Sequence, residues 1–118
     1  MKTTQKQFEL FKTWCRYYIE KFQLNNWQID FYLTDIEGVQ AQVFRDYLAC
    51  TARVNFNATI TKSPDETWEQ LIKDTAKHEM IHVKLGNLAQ LAASRFVTPD
   101  ELEKAEEELT VKLCNIIK

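Results

Sequence analysis

The chain has 118 residues, 45% of them hydrophobic and 27% charged, with 15 basic against 17 acidic residues for a net charge of −2. That length suits one compact domain over 1–118 with a modest core, and the charge balance points to no nucleic acid and no anionic membrane as a partner. The N-terminal stretch MKTTQKQFELFKTW lacks the apolar centre of a signal peptide, and no apolar run approaches the roughly 18 residues of a membrane span, so a cytoplasmic protein is expected.

Residues 5–23 place Phe8, Phe11, Trp14 or Cys15, Tyr18 and Phe22 at helical spacing, which predicts an amphipathic helix on the core. Residues 27–33 alternate Trp27, Ile29, Phe31 and Leu33 with polar neighbours, as a half-buried strand does. Val39, Ala41 and Val43 alternate in 39–44, and Cys50, Ala52, Val54 and Phe56 in 49–60. Three such runs joined by short connections predict a small, mostly antiparallel sheet. The three cysteines are scattered and odd in number, so buried free thiols are expected rather than a redox or zinc-ribbon pair.

The period then changes. Ser63, Pro64 and Glu66 read as cap, first residue and capping box of a helix running from 64 to at least 85. Thr98, Pro99 and Glu101 repeat the signal and open a last helix to about 116. The expected fold is therefore α+β: an N-terminal helix, three strands, a long helix and a C-terminal helix.

The long helix carries the only two histidines, His78 and His82, in HEMIH. Four residues apart on a helix, both imidazoles share one face and can reach a single ion. Glu79 lies about 100° around the axis. From there it can serve as general base to a water that the ion acidifies to a pKa of about 7. Chance places two histidines four apart with glutamate after the first in roughly two chains per thousand of this length, so the pattern is specific. A catalytic zinc takes three protein ligands and a water. With no third histidine and no nearby cysteine, an acid must complete the set, and Glu103, Glu106, Glu107 and Glu108 are the candidates. Leu102, Ala105, Leu109, Leu113 and Ile116 mark the expected buried stripe. Glu106 falls within it, where a carboxylate needs a partner; Glu107 lies at its edge, and Glu103 and Glu108 read as solvated charges. Asp74 is one turn before His78 and a possible partner for it, though more simply a solvated charge. Tyr32, Tyr47 and Arg95 are conceivable oxyanion donors that nothing in the sequence selects.

HEMIH resembles the zincin metallopeptidases, and the wider stretch HEMIHVKLGNLAQL…SRFVTPDEL…AEEELTVKL is similar to small phage- and prophage-encoded zincins and minimal gluzincins over about the last 45 residues. The resemblance implies a Zn²⁺-dependent peptidase of a peptide or protein substrate, with a glutamate of the following helix as third ligand. That family-like pattern favours Glu107, followed by Thr110 and Leu113; the helical arc favours Glu106. Zincins commonly hold substrate as an added strand, and 49–60, just before the motif helix, is the expected edge. Two other readings stand beside this one: a zincin-fold protein that acts as a binding module or inhibitor of a host factor, and a zinc hydrolase of a non-peptide amide.

Overall fold

The computed structural model describes residues 1–46, 48–86 and 98–117. In chain order these form α1 (Gln5–Lys21), β1 (Gln28–Thr34), β2 (Ala41–Asp46), β3 (Thr51–Asn57), α2 (Trp68–Lys84) and α3 (Pro99–Ile116). The layout is the expected α+β order.

Helix α1 opens with a capping box. The Thr4 hydroxyl accepts from Gln7 N at 3.1 Å and the Gln7 side chain accepts from Thr4 N at 2.9 Å. Its buried face is Phe8, Phe11, Cys15 and Tyr18, so the core position goes to Cys15 rather than Trp14. Phe11 stacks on Phe56 of β3 with centroids 4.3 Å apart and meets Phe31 of β1 edge-on, which joins α1 to the sheet. Ile72, Ala76, Met80 and Val83 of α2 close the same core.

The sheet is mixed rather than mostly antiparallel. Its order is β1-β3-β2, with β1 parallel and β2 antiparallel to β3. Residues 35–40 carry the chain past the end of β3 instead of turning β1 back on itself. Asn57 holds that crossing: its side-chain amide donates to Ile36 O at 2.7 Å and Val39 O at 2.8 Å. Strand β3 is consequently the centre of the sheet and not its edge, with Asn55 and Asn57 buried beside Val54 and Phe56. The edges are β1 and β2. Cys50 lies just before β3 with φ of 53°, so it does not share the strand's inward face.

Helix α2 begins at Trp68, not at residue 64. Ser63–Glu66 form a single turn, with Glu66 N bonded to Ser63 O at 3.2 Å, and Thr67 then caps the helix by accepting from Gln70 N at 3.1 Å. Thr67 wins because its extended backbone lets the hydroxyl meet a free amide of the first turn. Thr67→Ala is therefore expected to cost about 1 kcal/mol in urea unfolding, whereas Ser63→Ala has little effect; the reverse ranking would return the helix start to residue 63.

Helix α3 contributes no residue to the main hydrophobic cluster. Its inner line is Leu102, Glu106, Thr110, Leu113 and Cys114, and only Thr110 is fully buried. The apolar stripe expected from sequence is thus shifted: Ala105 is exposed, Leu109 is 40% exposed and Ile116 is 72% exposed. Polar anchors hold the helix instead. Lys77 of α2 donates to Cys114 O at 2.7 Å and Ile117 O at 2.8 Å, which satisfies carbonyls at the end of α3. The other anchors lie in the cleft between β2, α2 and α3. No helix among the described residues is long and apolar enough to cross a membrane.

Candidate metal centre

Helix α2 presents His78 and His82 one turn apart, as their spacing requires. Their Nε2 atoms are 3.2 Å from each other. Glu107 of α3 meets both: one carboxylate oxygen is 2.9 Å from His78 Nε2, the other 3.0 Å from His82 Nε2. Taken one ligand atom per residue, these groups lie within 4.8 Å of one another, and His78, His82 and Glu107 form a group that could hold a metal ion.

The donor set passes a simple fit test. Two imidazole nitrogens and one carboxylate oxygen are ordinary ligands for a transition-metal dication. At bond lengths of about 2.0–2.1 Å a tetrahedral ion needs its ligands about 3.3 Å apart. The nitrogen pair and each nitrogen's nearer carboxylate oxygen stand a few tenths of an ångström closer than that, and one oxygen with both nitrogens lies within 4.8 Å, so small side-chain rotations suffice. The two nitrogens and two carboxylate oxygens, this close, also repel unless a proton or a cation lies among them.

Glu106 occupies a different place. Its carboxylate is gripped by both terminal nitrogens of Arg45, on β2, and accepts from His82 Nδ1, the ring nitrogen that faces away from Glu107. Arg45 also donates to His82 O at 2.7 Å. Burial alone would raise the Glu106 pKa, but hydrogen bonds from Arg45 and His82 outweigh it and hold the carboxyl at about 2. Burial likewise opposes charge on both imidazoles. It prevails at His78, whose pKa is lowered; at His82 the bond to Glu106 and the nearby carboxylates prevail, and the pKa is raised.

Glu79 is 6% exposed, and it lines the same cleft. Burial pushes its pKa up to about 7, against a smaller opposing effect of His82. The carboxyl therefore exchanges a proton near neutral pH, as a general base must.

The cleft has a volume of about 1090 Å³. Strand β2 supplies one wall through Ala41, Val43 and Phe44; Pro99, Leu102 and Glu103 of α3 face it. Asp74 also borders the cleft, but its carboxylate accepts from Gln70 Nε2 at 2.8 Å. Glu108 is exposed. Tyr32 lies on β1, the edge of the sheet remote from the cleft, with Arg53 4.2 Å above its ring. Tyr47 and Arg95 fall outside the described residues. Sequence reasoning missed Arg45. Its signal was present: it continues the inward phase of Ala41 and Val43, where a charge requires a partner.

Comparison with protein-family models, with curated proteins and with solved structures finds no match for this chain.

Proposed function

We propose that the chain is a zinc-dependent peptidase of the zincin type. The observation that carries this reading is the convergence of His78, His82 and Glu107 atoms at 2.9–3.2 Å beside a buried Glu79 in one open cleft. A dication bound there supplies Lewis acidity, polarising an amide carbonyl and acidifying water. Glu79 takes the proton of the attacking water and returns it to the leaving amine. Its pKa near 7 suits both transfers, although a cation nearby would draw that value down.

The substrate strand aligns along β2. This is the sheet edge that borders the cleft, and Phe44, 58% exposed, offers an apolar contact beside it. An extended peptide added there would make main-chain hydrogen bonds as a further strand. The test is incubation of the zinc-loaded protein with a complex peptide mixture, read by mass spectrometry. New termini that vanish with chelator and with Glu79→Gln support the reading. A zinc-loaded protein that cuts nothing, or a cleavage that survives Glu79→Gln, contradicts it.

A further inference from the structure

We propose that Arg45 is the positioning residue of this centre: through Glu106 it holds His82 with Nδ1 protonated and Nε2 turned toward His78 and Glu107. The inference rests on the reading that these three residues bind a metal.

Glu106 links Arg45 to His82. One of its oxygens accepts from both Arg45 and His82 Nδ1, and the other accepts from Arg45. A carboxylate is acceptor-only, so the ring nitrogen that meets it carries the proton. Nε2 is the nitrogen turned toward Glu107 and His78; without a metal it too can share a proton with the Glu107 carboxylate, and it is this proton, not the one held by Glu106, that a bound ion would replace. Glu106 ties Nδ1 to Arg45 of β2. Its side chain is only 9% exposed, and the arginine fork fixes the plane of the carboxylate.

Arg45 does more than neutralise Glu106. Its bond to His82 O fixes the backbone of the ligand-bearing turn, while its fork fixes the α3 turn that carries Glu107. One side chain from the sheet edge thereby sets the separation of the two helices that must bring ligands together. Helix α3 lacks core residues, so this fork registers it against α2 together with the Lys77 bonds at its C-terminal end. Gly86 is part of the arrangement. A Cβ there would sit 2.9 Å from Arg45 Cδ and 3.3 Å from its Nε, so the glycine leaves the channel through which the arginine reaches Glu106.

The test measures zinc affinity by competition with a chromophoric chelator in wild type, Arg45→Met, Glu106→Gln and the double variant. Each single change should weaken zinc binding about 10–100-fold. The double variant should lose little more than the worse single one, because both act along one path. Arg45→Lys should recover only part of the loss, since a lysine cannot form the fork. Gly86→Ala should keep the fold, since Gly86 is not in the left-handed region and the atoms crowded belong to the flexible Arg45 side chain, yet weaken zinc by displacing the arginine. Unchanged affinity in Arg45→Met, or fully additive losses, would overturn the inference while leaving the metal site intact. A wild type that binds no zinc would instead remove the metal reading itself. Should the arginine variants fail to fold, long-range ¹H–¹⁵N correlation on the zinc-loaded wild type decides: a proton on His82 Nδ1 is expected, and a proton on Nε2 contradicts the proposal.

Discussion

Replacing Glu79 with glutamine is expected to lower peptide hydrolysis roughly 10²–10⁴-fold while zinc stays bound, because the amide cannot accept the water's proton and is not itself one of the convergent donors. The same change should make the metal-free fold more stable. Glu79 is buried, and its pKa rises from 4.5 to about 7 on folding. Between those values the folded chain binds more protons than the unfolded chain, so stability falls as pH rises through that window and stays low above it. At 1.36 kcal/mol per pKa unit, the ionised carboxylate costs about 3 kcal/mol at pH 8. Thermal unfolding in chelator should therefore find Glu79→Gln more stable than wild type by about that amount at pH 8, with the gap closing toward pH 4.5. A variant no more stable than wild type at pH 8 would mean that the carboxylate is adequately solvated. The activity loss and the stability gain have one origin: a base held in a place where its charge is unwelcome until a cation arrives.

The second large effect is metal-linked stability and its dependence on Glu107. Zinc that binds only the folded chain adds about 4.1 kcal/mol at a free concentration of 1,000 Kd. Glu107 joins α3 to both histidines of α2, so much of this gain should appear as tighter docking of α3. Glu107→Ala should weaken zinc by more than about 100-fold, beyond the range for residues that only support ligands. The stabilisation at fixed zinc shrinks accordingly, and amide exchange in α3 should no longer slow when zinc is added. Glu108→Ala, at an exposed neighbouring position, should retain the full response. If Glu107→Ala and Glu108→Ala responded alike, the third ligand would have to come from elsewhere.

How far the sequence could be read depended on whether the deciding contacts were local. The α1 face, the three strands and the shared face of His78 and His82 follow from periods of 3.6 and 2.0 within one segment. The order β1-β3-β2 does not, because a crossing pinned by Asn57 looks in sequence like an ordinary short turn. That crossing makes β2, rather than β3, the sheet edge that borders the cleft. The start of α2 turned on which of two hydroxyl residues four positions apart, Ser63 or Thr67, met a free amide. Glu106 and Glu107 stood nearly level for a related reason. They are one residue apart, and the roll of α3 that separates their roles is set by Arg45 and Lys77, distant in sequence. The usable clue was that Arg45 and Glu106 both carry charge at inward-facing phases, one on a strand and one on a helix. Two such charges of opposite sign in a small domain are candidates to be each other's partner.

The most direct measurement is of what surrounds a dication in this cleft. The zinc-edge X-ray absorption spectrum of protein loaded with one equivalent should show two imidazole nitrogens and carboxylate or water oxygens at about 2.0–2.2 Å. Sulfur neighbours near 2.3 Å, a single imidazole, or zinc lost on simple dialysis would contradict it.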